Sequence, residues 1–138
     1  MALTASTMLP LGTNAPAFSL MDVVSGKKIN LQTFTDKQAL LVMFVCTHCP
    51  YVKHVQSELA RVGSDYRDKS VGIVAISAND PVSHPDDAPE KLKAMAEKLG
   101  FSFPYCFAFF HANDRCSAAT QAFPSQSDAP EIKRLLKS

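Results

Sequence analysis

The chain is organised around the stretch ALLVMFVCTHCPYV, residues 39–52. Its first part, 39–45, is apolar without alternation, which is typical of a strand buried on both faces in a parallel sheet. Cys46 and Cys49 follow with two residues between them, and Pro50 has the fixed φ that suits the first turn of a helix. We therefore predict a strand, a Cys-x-x-Cys pair and a helix, in that order. A thiolate at Cys46 would be stabilised by the helix N-terminus, so the stretch indicates thiol–disulfide chemistry.

Length and composition indicate one globular domain. The chain has 138 residues, of which 20% are charged and 46% hydrophobic, enough to bury a core. A net charge of +1 gives no indication of nucleic acid or an anionic membrane as partner. The N-terminal residues do not have the pattern of a secretory signal, and no segment has the length and apolarity of a membrane span. We expect a cytoplasmic protein, where cysteine pairs serve catalysis, redox sensing or metal binding.

The N-terminal third predicts a hairpin, and the residues after the cysteines predict a helix. Alternation at Phe18 and Leu20, turn residues from Asp22 to Gly26 and renewed alternation over 28–31 are typical of two antiparallel strands. After Pro50, apolar residues recur at steps of three and four, which predicts one core-facing stripe. The stripe consists of Val52, Val55, Leu59, Val62 and Tyr66.

A second unit follows along the chain. The apolar run 71–77 predicts another buried strand, and strand–helix–strand predicts a parallel βαβ unit. Asp87 and Glu90 have the spacing of a capping box and predict the start of a second helix. Alternating aromatic residues over 101–107 predict one more strand. Residues 108–138 have no clear period.

The cysteine pair is the candidate site. We predict that Cys46 is the attacking thiolate, that Cys49 resolves the mixed disulfide, and that a cationic His48 stabilises the thiolate and makes the pair more oxidising. Buried cysteines used as small hydrophobes are one alternative, and zinc is another. Zinc sites usually take four ligands from paired motifs, whereas Cys106 and Cys116 have nine residues between them. We therefore expect no metal and no organic cofactor.

The other histidines have simpler interpretations. His54 is expected to be exposed on the first helix, and His84 to belong to a polar, proline-rich loop. Cys106 alternates with aromatic residues, which predicts a place in the core.

Two segments carry a family resemblance. The stretch FVCTHCPYVKHV, residues 44–55, and the N-terminal pattern G-x-x-A-P-x-F-x-L, starting at Gly12, resemble the thioredoxin-like redoxin group. This group is related to the alkyl hydroperoxide reductase/thiol-specific antioxidant (AhpC/TSA) proteins, and the resemblance covers residues 10–107. It implies an α/β, thioredoxin-like fold with a central mixed sheet, flanking helices and an N-terminal β-hairpin. It also implies that Cys46 and Cys49 form a redox-active pair.

The C-terminal part departs from that family pattern. Relatives continue with a cis-proline motif and a closing hairpin, whereas here Pro124 is the one proline near the expected distance. We expect a single domain over 1–138 in which 108–138 is a divergent tail that lacks the hairpin. The loss of a hairpin would leave a sheet edge open. We expect either loose packing of the tail over this edge or pairing of the edge between two chains in a homodimer.

The region before the cysteines also departs from the peroxiredoxin pattern. Peroxiredoxins have the pattern Pro-x-x-x-(Thr/Ser)-x-x-Cys, with a hydroxyl residue three positions before the reactive cysteine. In this sequence Met43 occupies that position before Cys46. The main prediction is therefore a thiol–disulfide oxidoreductase that exchanges disulfides with protein or small thiol partners. A thiol peroxidase and a non-catalytic redox-sensing domain stay open as alternatives.

Overall fold

The computed structural model describes residues 9–108. It contains five strands and two α-helices within these residues: β1 Ser19–Asp22, β2 Lys28–Asn30, β3 Ala39–Phe44, α1 Pro50–Asp65, β4 Val71–Ser77, α2 Pro89–Leu99 and β5 Tyr105–Phe107. The strands form one sheet in the order β2-β1-β5-β4-β3. β3, β4 and β5 run parallel, whereas β1 is antiparallel to both β2 and β5. The predicted mixed sheet and N-terminal hairpin are thus confirmed.

The predictions for the tail fall mostly outside the described residues. This applies to its loose packing, to Cys116 and to the assignment of Pro124 as a cis-proline. No peptide bond within residues 9–108 is cis.

The two apolar strands of the parallel unit differ in burial. β3 pairs with β4 in a register that runs from Ala39–Val71 to Phe44–Ile76. β4 has a strand on each side and is buried from residue 72 to residue 77, as predicted. The prediction for β3 is wrong, because the side chain of Phe44 is 54% exposed and that of Leu41 is 41% exposed. Within residues 9–108, β3 is an edge strand that pairs only with β4.

The core has two parts, one on each face of the sheet, and β4 contributes alternate residues to both. One cluster joins the hairpin to the sheet: Phe18, Leu20, Ile29, Val74, Ile76, Cys106 and Ala108. The other joins the sheet to residues of α2 and to the segment that precedes β5: Val45, Ile73, Ala75, Leu92, Ala96, Phe103 and Tyr105. The apolar face of α1 packs on this second cluster too. Cys106 is fully buried, which confirms its predicted place in the core.

Helix α1 begins at Pro50 as predicted, and part of its apolar stripe faces the core. Val55 and Tyr66 are each 40% exposed, so the predicted stripe is too wide. Gly63 is the point of closest approach, because a Cβ there would lie 2.7 Å from Cδ1 of Phe103. The residues of the stripe that pack against the core are Val52, Leu59 and Val62.

Neither helix in the described part of the chain has the length and apolarity needed to cross a membrane.

Helix α2 does not begin with the predicted capping box. Its N-cap is Ala88, which has no side chain to accept a hydrogen bond, and Pro89 occupies the first turn. Asp87 closes a short 3-10 helix, Pro85–Asp87, that precedes α2. The carboxylate of Asp87 instead contacts Thr47 in the loop after β3. At the other end, Gly100 terminates α2 with a φ of 66°, a left-handed conformation that glycine adopts without strain.

Candidate active site

The two cysteines lie where the chain passes from β3 into α1. Cys46 follows two residues after the end of the strand, and Cys49 is the N-cap of the helix, with Pro50 as the first helical residue. Both cysteines are partly exposed. The predicted order of strand, Cys-x-x-Cys and helix is confirmed. Because β3 and β4 are parallel, the loops after their carboxyl ends meet at one edge of the sheet.

A buried carboxylate from the loop after β4 holds the turn between the cysteines. The backbone N–H of Thr47 donates to Oδ1 of Asp87 at 2.6 Å. The Thr47 hydroxyl lies 2.7 Å from the same oxygen. Asp87 is 0% exposed, so the turn is attached to a fixed point of the core.

The other oxygen of Asp87 contacts the histidine of the pair. Nδ1 of His48 lies 2.6 Å from Oδ2 of Asp87, and the side-chain amide of Asn79 donates to that oxygen at 2.8 Å. The ring of His84 stacks on the ring of His48, with 4.6 Å between their centroids and 26° between their planes. The orientation of His48 is therefore restrained on its edge and on its face.

These contacts settle the ionisation of Asp87 and the tautomer of His48. Burial by itself would raise the pKa of Asp87, but hydrogen bonds from Thr47, Asn79 and His48 outweigh it and hold the pKa below its ordinary value. The carboxylate is therefore ionised at neutral pH and can only accept hydrogen bonds. It follows that Nδ1 of His48 carries a proton and donates a hydrogen bond to Asp87.

The environment of Cys46 acts on its thiol in the direction opposite to our expectation. Burial is the largest cause and raises the pKa of Cys46. The backbone N–H of Cys49 acts to lower the pKa of Cys46, while the negative charge of Asp87 and the nearby Cys49 thiol raise it further. The expectation of a depressed pKa is wrong for the free protein, because desolvation exceeds the effect of the helix N-terminus.

Tyr105 holds the backbone just before Cys46 by a buried hydrogen bond. Its side chain is fully buried, and its hydroxyl donates to the backbone carbonyl of Val45 at 2.9 Å, directly before Cys46. Burial raises the pKa of Tyr105 beyond its ordinary range, so the hydroxyl stays a donor. Cys106 is chemically different from the pair, because burial and the charge of Asp22 raise its pKa to about 12.

The site also has the residue types of a metal centre, but its carboxylate oxygens are already hydrogen-bonded. One donor atom each of Cys46, His48 and Asp87 lies within 4.8 Å of the others. Both oxygens of Asp87 already accept hydrogen bonds from neighbouring protein groups. A metal at this position would have to break these bonds, so the trio does not fit a preformed metal site.

Part of this arrangement is predictable from the sequence. The structure brings Cys46, Cys49 and His48 together, as predicted from their spacing. It shows that His84, which was assigned to a polar loop, also stacks on His48. His54 is exposed, as predicted. Asp87 was missed, although its position in the loop after a parallel strand next to β3 was a signal that could have placed it here.

The fold and the position of the pair define a thioredoxin-like protein. A similar architecture occurs in the crystal structure of a thiol:disulfide interchange protein of the thioredoxin family from Chlorobium tepidum TLS. The TM-score is 0.58 at 22% identity, over 75% of this chain and 63% of that one. At this identity the likeness concerns the fold. Residues 11–108 match the AhpC/TSA family, and the chain belongs to that family.

Two solved structures are more similar in sequence. An uncharacterized conserved protein from Geobacillus kaustophilus is 41% identical, with a TM-score of 0.76 over 91% of this chain and 63% of that one. A hypothetical protein from Sinorhizobium meliloti 1021 is 32% identical, with a TM-score of 0.72 over 84% of this chain and 60% of that one. The chain therefore spans less than two thirds of the length of these relatives. No curated protein matches the chain significantly.

Proposed function

We propose that the protein is a thiol–disulfide oxidoreductase whose redox centre is the Cys46–Cys49 pair. The observation that carries the proposal is the position of the pair: Cys46 is partly exposed after β3, and Cys49, three residues later, is the N-cap of α1. Membership of the AhpC/TSA family and the thioredoxin-like fold support the same class of chemistry. We propose protein or small-molecule disulfides as substrates, in a reducing cytoplasm.

The reaction proceeds by two exchanges. The Cys46 thiolate attacks one sulfur of the substrate disulfide, so the substrate S–S bond breaks and a mixed disulfide forms. The departing substrate thiolate takes up a proton. The Cys49 thiolate then attacks the Cys46 sulfur, releases the second substrate thiol and leaves a Cys46–Cys49 disulfide. Two electrons pass to the substrate, and an external thiol reductant regenerates the pair.

The environment of Cys46 favours this reducing direction. A pair is oxidising when its reduced form is stabilised as a thiolate. Here burial, assisted by the charge of Asp87, raises the pKa of Cys46 and withholds that stabilisation. The predicted oxidising effect of His48 acts in the other direction, and the reduction potential of a His48→Ala variant measures it.

Trapping the mixed disulfide tests the proposal. The Cys49→Ser variant should accumulate a covalent adduct with a disulfide substrate through Cys46, whereas Cys46→Ser should form none. Insulin reduction in the presence of dithiothreitol supplies the turnover assay. Cys106→Ala is the matched control, because it removes a thiol that burial keeps protonated. Unchanged turnover in Cys46→Ser would contradict the proposal.

The same assays separate the two alternatives. A redox sensor would form the Cys46–Cys49 disulfide without turning over a substrate. A thiol peroxidase would reduce hydrogen peroxide with a kcat of about 1 s⁻¹ or more. We expect weak or absent peroxide reduction, because Met43 occupies the position of the peroxiredoxin hydroxyl and the nearby Thr47 hydroxyl contacts Asp87 instead.

A further inference from the structure

We propose that His48 and Asp87 form a proton-transfer dyad for the cysteine pair, in which Asp87 positions His48 to accept the proton of Cys46. The inference deepens the proposed function and rests on it. Its geometric basis is the cluster in which one ring nitrogen of His48, the sulfur of Cys46 and a carboxylate oxygen of Asp87 lie within 4.8 Å of one another. A weak nucleophile is generally activated by an adjacent base that a third group orients. Here these three groups are Cys46, His48 and Asp87.

Asp87 prepares the ring in two ways. Its ionised carboxylate accepts a hydrogen bond from Nδ1–H at 2.6 Å, so the lone pair of the neutral ring lies on Nε2. It also fixes the plane of the ring, together with the stacked ring of His84. Asp87 itself is rigid, because Thr47 and Asn79 donate to its oxygens. His48, with a side chain 37% exposed, lies between this buried carboxylate and the solvent.

The dyad answers a need that the site creates. Burial holds Cys46 as a thiol, and a thiol is a poor nucleophile. In the first exchange the S–H proton of Cys46 passes to His48, and the resulting thiolate attacks the substrate disulfide. The imidazolium then returns the proton to the departing substrate thiolate, while Asp87 stays ionised and balances the charge. Hydrogen bonds of this kind are often long in the free protein and shorten when substrate binds.

Asp87 also has a direct effect on Cys46, and the two effects have opposite signs. Through its charge alone, Asp87 disfavours the thiolate. Through His48, it favours the thiolate by stabilising the ring that holds the proton. Within residues 9–108, the other titratable groups that face this cluster are the Cys49 thiol, the Tyr105 hydroxyl and the ring of His84. The sign of the effect of removing the Asp87 charge therefore identifies the route by which it acts.

The experiment measures the rate at which iodoacetamide alkylates Cys46 in the fully reduced protein, as a function of pH. Asp87→Asn and His48→Gln should each lower the rate near neutral pH by about tenfold or more. In the double variant, Asp87→Asn should instead raise the rate relative to His48→Gln, because only its direct charge effect is left. Asp86→Asn is the matched control, since the Asp86 side chain is 62% exposed and pairs with Lys91. It should leave the pH profile unchanged.

Two results would overturn the proposal. Faster alkylation in Asp87→Asn with His48 present would mean that Asp87 acts through its charge alone. An unchanged pH profile in His48→Gln would mean that the ring takes no proton from Cys46. If Asp87→Asn fails to fold, the His48→Gln variant still tests the proposal, because it keeps the buried carboxylate. Alkylation requires no disulfide substrate. A chain that lacks turnover but shows the predicted profile would therefore refute the proposed function and leave the dyad intact.

Discussion

The Tyr105→Phe substitution removes one oxygen from beneath the cysteine loop and leaves the buried ring in place. The lost group is the hydroxyl that donates to the Val45 carbonyl at 2.9 Å. A neutral hydrogen bond contributes about 1 kcal/mol net, and a buried acceptor left without its donor costs about 1–3 kcal/mol. Because Tyr105 and Val45 both belong to the core, water does not readily replace the donor. We expect the free energy of unfolding to fall by about 2 kcal/mol.

Urea denaturation of the reduced protein measures this change. The denaturation midpoint should fall while the slope with denaturant stays constant, since the area exposed on unfolding hardly changes. Tyr51→Phe is the control, because Tyr51 is 70% exposed and its substitution should change stability by less than about 0.5 kcal/mol. If Tyr105→Phe were as stable as the wild type within about 0.5 kcal/mol, the hydrogen bond to Val45 would not exist in solution.

Three further outcomes are expected. Gly63→Ala should lower the free energy of unfolding by about 1–3 kcal/mol, because the new Cβ would lie 2.7 Å from Cδ1 of Phe103. Urea denaturation measures this loss, and the control Ser64→Ala, at an exposed position, should not show it. The wild type should have a higher free energy of unfolding than Asp87→Asn. This difference should be complete above the ordinary carboxyl pKa of 3.8 and vanish as the pH falls through the lowered pKa of the folded state. A difference in the free energy of unfolding that persists in acid would argue against an ionised Asp87. Cys106, fully buried and with a pKa of about 12, should be alkylated only after unfolding, and peptide mapping that finds it labelled in the native protein would contradict its burial.

The parts of the site that depend on neighbouring residues were predictable. The apolar run, the two cysteines and Pro50 are contiguous, so a strand followed by a helix could be predicted without any tertiary information. Asp87 was different, because it meets Thr47 across 40 residues of sequence. Its spacing to Glu90 suggested a helix cap, but Ala88 occupies that position. Hydrogen bonds to Thr47, His48 and Asn79 hold Asp87 instead of the helix cap that its local spacing suggested.

The exposure of β3 and the raised pKa of Cys46 were the properties that local patterns did not predict. The runs 39–45 and 71–77 are similarly apolar, yet β4 lies inside the sheet and β3 at its edge within residues 9–108. Strand order decides this difference, and strand order depends on the whole fold. The pKa of Cys46 also depends on the whole fold. The helix N-terminus is a local feature, whereas desolvation and the charge of Asp87, which raise this pKa, arise from packing.

The contact between Thr47 and Asp87 has a consequence for protein engineering. The chemistry of this pair depends on three separate segments: the loop after β3, the loop before α2 and the buried Tyr105 of β5. A Cys-Thr-His-Cys tetrapeptide transplanted into another scaffold of the same architecture would lack the carboxylate that orients its histidine. Such a graft would transfer the two sulfur atoms and lose their reactivity profile. A faithful transplant would have to move the loop that ends at Asp87 together with the tetrapeptide.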